Sequence, residues 1–407
     1  MVACSIGELL SSSWGPGGFQ TTRMMCKENL TVAHLPIASA KSIGLDEARL
    51  QVAYDLLDSW TRGPQAPVPG GAILVGRAGK VVAPKFFGRQ GAEPQAAAIR
   101  EDGMFLLASI SKPITYLGAL KLVERGQLNL SDPVARYIPD FAAHHKDGTL
   151  VQHLFTHTSG LPDMLPDNNQ LRRQQAPLER FIQGAIRDTV PRFPAGTDYS
   201  YQSMGTLVVA ELIQRISGMT IHKYLKKEIF DPLGLKSIGL GSKGLDRQRL
   251  VRVQTPEGRD SPEWGWNSPY WQELGAPWGG VFSSPMDLAV ICQLMLRDGM
   301  HDGVRLLSPA MVRMATTNRF DDYPDLPEPI RRTLPWGLGW QMNHPGTSGS
   351  WGDLLNRTVF GHTGATGTML WMDRQRDGFC MLLTTAVRSR APWRLVHLSN
   401  IVASAFV

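Results

Sequence analysis

The chain has 407 residues, of which 43% are hydrophobic and 19% charged. That balance buries a sizeable core and excludes global disorder, and at ~150 residues per domain the length predicts two or three lobes. The net charge of +6 comes with no Lys/Arg-dense block, which excludes a concentrated nucleic-acid-binding surface, and no apolar run approaches the ~18 residues of a membrane-spanning helix.

Residues 1–43 are rich in Ser, Gly and Met and show neither periodicity nor the apolar centre of a secretory leader. They predict a poorly ordered extension, with Met24 and Met25 as alternative starts. With no leader readable, the expected location is cytoplasmic by default, or periplasmic should the start be mis-assigned. Apolar residues from Leu45 to Trp60 recur at helical spacing. Gly70–Val75, a turn at Gly76–Gly79 and Lys80–Val82 read as a β-hairpin.

Ile110–Arg125 is the next helix, stopping at Gly126. Leu207–Ser217 and Pro285–Arg297 follow, stopping at Gly218 and Gly299. Near the C-terminus, Gly367–Asp373 and Gly378–Ala386 flank a polar turn as a second hairpin, and Pro392–Phe406 reads as a closing helix. Strands and a helix from both ends predict one discontinuous sheet, so the fold class is α/β (α+β). The lobes are assigned as α/β at 44–108 and 340–407, with a mainly helical insert at 109–339. An active-site cleft is expected between them.

The four cysteines, Cys4, Cys26, Cys292 and Cys380, have no CxxC spacing, so neither a disulfide framework nor a zinc ribbon is expected. The chain lacks a G-x-S-x-G elbow, an H-E-x-x-H pair and a P-loop. His153 and His157 are four apart, but Thr158-Ser159-Gly160 and Pro162 follow at once, so they read as structural or loop hydrogen-bonders. No metal and no cofactor is expected.

Ser109-Ile110-Ser111-Lys112 is the one S-x-x-K. It opens a predicted helix, where positions three apart share a face and Lys112 meets Ser109. A serine needs such a neighbouring base to become a nucleophile, and burial can lower a lysine pKa enough to supply one. Tyr201, in Tyr199-Ser-Tyr-Gln-Ser203, sits on a loop entering a helix. His362-Thr363-Gly364 precedes a strand, where Gly364 admits a close approach and the Ala365 N–H is placed to donate to an oxyanion. Glu263–Trp278 is dense in aromatics, and Trp266 and Tyr270 are candidates for an apolar substrate wall.

The ordered trio S-I-S-K, Y-Q-S and H-T-G resembles the penicillin-recognising serine hydrolases. Within them it is similar to the branch of class C β-lactamases, D,D-carboxypeptidases, D-aminopeptidases and family VIII carboxylesterases. The segments Leu154–Pro162, Trp278–Ser284 with Asp287-Leu-Ala, Trp336–Trp340 and Phe360–Gly364 carry the likeness further, over roughly residues 45–400. The resemblance implies a β-lactamase/transpeptidase-like fold and an acyl-enzyme at Ser109, activated by Lys112, with Tyr201 as the proton shuttle. It implies that the Lys112 cation favours the Tyr201 phenolate. It also implies an oxyanion hole of the Ser109 and Ala365 amides, with His362 and Gly364 at the cleft edge and Ser203 and Thr363 contacting substrate.

Serine stands at 203 where many members carry Asn, and histidine at 362 where β-lactamases carry Lys, which leans away from efficient β-lactam hydrolysis. The expected substrates are small-molecule esters, then related amides or β-lactams, with no nucleic acid, no membrane span and no fixed oligomeric state. A D,D-carboxypeptidase or weak class C-like β-lactamase is the enzymatic alternative. A non-catalytic ligand-binding scaffold is the alternative of another class, and intact Ser109, Lys112 and Tyr201 argue against it.

Overall fold

The structure is a computed structural model that describes residues 34–63, 66–255, 261–345, 351–388 and 393–407. The expectation of a poorly ordered N-terminus falls, for residues 1–33, outside the described residues. Residues 34–43 correct it. Leu35, Ala40 and Ile43 are buried, and the Ala38 and Val81 N–H groups donate to Val81 and Pro36 carbonyls at 2.8 and 3.0 Å. The signal was present but short: three apolar side chains spread over nine positions show no period.

In chain order, α1 (Glu47–Ser59) precedes β1 (Gly70–Arg77), β2 (Lys80–Val81), β3 (Lys85–Gly88) and β4 (Met104–Leu106). The insert then carries α2 (Ser111–Glu124), α3 (Val151–Phe155), α4 (Asn168–Arg173), α5 (Leu178–Arg187), α6 (Met204–Ser217) and α7 (Ile221–Leu225). It continues with β5 (Ile238–Leu240), β6 (Leu250–Val251), α8 (Pro269–Leu274), β7 (Val281–Ser283) and α9 (Pro285–Leu296). The hairpin β8 (Met300–His301) and β9 (Val304–Arg305) leads to α10 (Pro309–Ala315) and α11 (Glu328–Thr333). The chain returns through β10 (Gln341–Met342), β11 (Phe360–Gly364), β12 (Thr368–Asp373) and β13 (Gly378–Thr384) to α12 (Trp393–Ser404).

Seven strands form one antiparallel sheet in the order β10-β11-β12-β13-β1-β2, with β3 also paired to β1. The two predicted hairpins meet at its centre, where Gly71 pairs with Thr384 and Arg77 with Gly378. Alternation along β1 explains its unbroken apolar run. Ile73 and Val75 join the cluster of α1 and α12, whereas Ala72 and Leu74 join the core that contains α9. A sheet covered on both faces loses the polar half of its alternation. Sequence punctuation sets the helix ends. Ser268, Ser284 and Ser308 cap α8, α9 and α10 through their side chains, each followed by proline.

The insert is mainly helical, but its strands β5, β6 and β7 join β4 in a second sheet of order β5-β7-β4-β6. These strands have two or three residues each, too short for a periodic signal. They matter because β4, paired with β7, delivers the chain to the turn that opens α2. That helix is buried on nearly every side, Lys112 included. Among the described residues no helix is long and apolar enough to cross a membrane.

Candidate active site

Ser109 lies on the 3-10 turn Ala108–Ile110 that runs directly into α2. Ala108 holds a φ of 49°, the left-handed region that an L-residue rarely occupies. Such a residue costs about 1–3 kcal/mol and persists where its surroundings over-determine it. Here the Leu107 N–H donates to the Val281 carbonyl at 2.8 Å, and the Val281 N–H donates to Ser111 Oγ at 2.9 Å. The Thr366 and Thr368 hydroxyls donate to the Leu106 and Leu107 carbonyls at 2.8 and 2.9 Å. Gly364 permits this approach, because a Cβ there would lie 2.3 Å from the Leu107 carbonyl oxygen. The H-T-G strand and the serine turn are thus stitched together.

Lys112 is 0% exposed. Its Nζ lies 3.0 Å from Ser109 Oγ, 2.9 Å from Tyr201 OH and 3.3 Å from the Trp278 carbonyl oxygen. Three groups lying up to 166 positions from Lys112 in sequence therefore meet at one amine. Burial pulls the Lys112 ammonium down to about 7, with the Asp163 carboxylate opposing. Burial also pushes the Tyr201 phenol well above 10, with the Ser109 contact opposing. This corrects the expected phenolate. Both shifts favour a protonated phenol and a neutral amine, because desolvation of Tyr201 outweighs the Ser109 contact that opposes it.

His362 is buried, and its Nδ1 lies 2.8 Å from the Thr363 carbonyl, an acceptor, so Nδ1 carries the proton. Burial, with the Lys112 charge adding to it, lowers His362 to about 3, so the imidazole is neutral. The Thr363 hydroxyl accepts from Arg388 Nη1 at 2.9 Å, and the Ala365 carbonyl accepts from the Arg388 N–H at 2.9 Å. A guanidinium thus stands beside the H-T-G strand where the family pattern led us to expect only a neutral edge. Ala365 itself is exposed at the turn.

Ser203 is buried, and its hydroxyl donates to Asp163 Oδ1 at 2.7 Å, so it is committed within the protein. Trp266 packs against the core and Tyr270 donates its hydroxyl to the Ala176 carbonyl at 2.8 Å. Tyr270 lines a groove of about 690 Å³ with Leu178, Glu179 and Leu274, and Ser109, Lys112 and Tyr201 do not line it. The Tyr270 ring on α8 is thus held against the segment that leads into α5. Among the described residues no group of His, Cys, Asp or Glu is arranged to hold a metal ion.

Several residues of the site went unassigned in the sequence: Asp163, His157, Trp336, Arg388 and the Trp278 carbonyl. His153 lies within α3, where its Nδ1 accepts from the Leu150 N–H at 3.1 Å, so a helix does form there. His157 follows that helix and packs on Tyr201 with ring centroids 4.6 Å apart. The segments Leu154–Pro162 and Trp336–Trp340 were noticed as patterns, and only the fold shows that both converge on Tyr201.

Comparison with known proteins places the fold and the family. The Beta-lactamase family model matches residues 57–400. A Salmonella enteritidis protein provisionally named a D-alanyl-D-alanine carboxypeptidase is 26% identical over 373 residues, covering 83% of each chain. The structure of a penicillin-binding protein homologue from Caulobacter crescentus superimposes with a TM-score of 0.71 at 21% identity, covering 89% of this chain and 99% of that one. EstCE1, a hydrolase with promiscuous acyltransferase activity, gives a TM-score of 0.69 at 17% identity over 89% and 99% of the two chains. With most of its length matched by that family model, the chain belongs to the Beta-lactamase family and is a serine hydrolase.

Proposed function

We propose that the protein hydrolyses esters or related amides through an acyl-enzyme on Ser109. The observation that carries this reading is the buried Lys112 amine, within hydrogen-bonding distance of both Ser109 Oγ and Tyr201 OH. Neutral Lys112 takes the Ser109 proton as Oγ bonds to the substrate carbonyl carbon. The resulting oxyanion is assigned to the Ser109 and Ala365 N–H groups, each such donor contributing about 3–4 kcal/mol. Tyr201 then gives its phenolic proton to the leaving oxygen or nitrogen and regains one from the Lys112 ammonium. In the second half, water attacks the acyl carbon, its proton passes to the same amine, and the amine returns that proton to Ser109 Oγ as the acyl bond breaks.

A D,D-carboxypeptidase is the second reading, and Arg388 favours it. Its guanidinium on Thr363 supplies the fixed cation that neutral His362 lacks, and a terminal carboxylate needs one. The named activity of the Salmonella relative points the same way.

Incubation with p-nitrophenyl butyrate, nitrocefin and a D-Ala-D-Ala-terminated peptide separates these readings. Ester turnover above the other two is expected, and preferred peptide cleavage would put the carboxypeptidase first. Ser109→Ala is expected to abolish both turnover and labelling by a fluorescent penicillin. A wild-type protein that turned over none of the three and took no label would be a scaffold.

A further inference from the structure

We infer that His157 is the positioning residue for Tyr201, a neutral clamp that holds the phenol at Lys112 without touching the reacting atoms. The inference rests on the Ser109–Lys112–Tyr201 reading and adds a residue to it. His157 grips the chain on both sides of Tyr201. Its carbonyl accepts from the Ser200 N–H at 3.0 Å, and its ring Nδ1 accepts from the Gln202 N–H at 3.2 Å. Between these two anchors its ring lies against the Tyr201 ring, with centroids 4.6 Å apart and an interplanar angle of 38°. Trp336 closes the other side, edge-on at 4.5 Å.

The backbone of His157 is specialised for this. Its φ is 60°, left-handed for a residue with a Cβ, and it is 0% exposed. That turn is what allows one residue to present both its carbonyl and its ring to the same neighbouring segment. The tautomer follows from the bonding: Nδ1 accepts, so the single proton of the neutral ring is on Nε2. Nε2 has no hydrogen-bond partner and lies among the rings of Trp336, Tyr199 and Tyr201.

Protonation would destroy the clamp, because an Nδ1–H cannot accept from Gln202. The surroundings oppose it. Burial, and then the charges of Lys112 and His362, hold His157 well below its ordinary value. The groups that face it are Lys112, His362 and the phenols of Tyr199 and Tyr201, and none of these is a carboxylate that would stabilise an imidazolium.

Two substitutions separate the clamp from simple packing. His157→Phe keeps the ring face and removes the acceptor. His157→Asn keeps a short acceptor and tolerates the left-handed backbone. With p-nitrophenyl butyrate, His157→Phe is expected to lower kcat by tenfold or more with KM within twofold of wild type. His157→Asn is expected to recover at least a third of the wild-type kcat. In single-turnover acylation, adding His157→Phe to Tyr201→Phe is expected to change the rate by less than twofold, because the histidine acts only through that phenol.

A multiplicative loss in the double variant, or His157→Asn as slow as His157→Phe, would overturn the proposal. Should His157→Phe fail to fold, His157→Asn carries the comparison through the same pairing with Tyr201→Phe and the same KM reading. Failure of the underlying reading is distinct, since Ser109→Ala would then retain turnover and labelling.

Discussion

In the seven-stranded sheet, burial encloses Ile73, Val75, Leu382 and Trp371, and the one polar atom of Trp371 donates to Ser399 Oγ at 2.9 Å. In the cleft beside β11, equal burial encloses an amine and two imidazoles, and Nε2 of both His157 and His362 is without a hydrogen-bond partner. The sheet region uses desolvation to stabilise the fold. In the cleft it shifts proton affinities, at a cost in stability that the proposed chemistry would explain. Backbone conformation divides the same way, since Ala108 and His157 are left-handed in the cleft, while β1 pairs through seven consecutive residues with β13.

Substitutions can break this contrast. The largest effect is expected from Lys112→Met, which fills the same space without an amine. Turnover of p-nitrophenyl butyrate should fall by about 10²–10⁴-fold, while the thermal midpoint holds or rises because a buried charge site is gone. A midpoint that fell with activity would show Lys112 to be structural. Leu382→Ala is the mirror experiment. It should destabilise by about 2–5 kcal/mol in denaturant unfolding, with kcat unchanged well below the midpoint. Lost acylation in the folded variant would mean that the two regions are not separable.

The pH dependence sharpens the contrast further. Lys112 is lowered from 10.5 to about 7 in the folded protein, so the unfolded chain binds more protons between those values. Its contribution therefore makes stability rise with pH across that window, and His362, lowered from 6.5 to about 3, does the same between its own limits. The acidic limb of kcat/KM should turn near pH 7, where Lys112 loses its proton. A limb near pH 4 would assign the base elsewhere. The smallest effect is expected at Arg297, paired with Asp377 at 2.7 Å in a largely exposed site. Arg297→Ala should shift stability by less than about 1 kcal/mol and leave the rate alone.

Much of both regions was readable in the residues, for different reasons. The hairpins at Gly70–Val82 and Gly367–Ala386 announced themselves because strands covered on both faces are uninterrupted apolar runs between turn residues. The Ser109–Lys112 contact was legible because it is local, one helical turn apart. Tyr201 came from pattern, and its meeting with Lys112 from the fold. What escaped the sequence was non-local or backbone-borne. The Trp278 carbonyl has no side-chain signature, Arg388 is one arginine among many, and His157 depends on a left-handed turn. In the aromatic segment, composition suggested a binding wall, and the fold adds that Trp266 and Tyr270 also pack against the core.

The pairing of β1 with β13 has a consequence for how the enzyme is made. Gly70 and Thr385, bonded to each other in the sheet, are 315 positions apart. A nascent polypeptide on the ribosome cannot zip its central strands until β13 has been translated. The H-T-G strand and the turn after it, which buttress the Ser109 turn, arrive equally late. High contact order slows closure and leaves apolar strands waiting for partners. Ribosome-stalled chains halted before β11 should thus be chemically silent and dependent on chaperones, with reactivity appearing only once β11 to β13 have emerged.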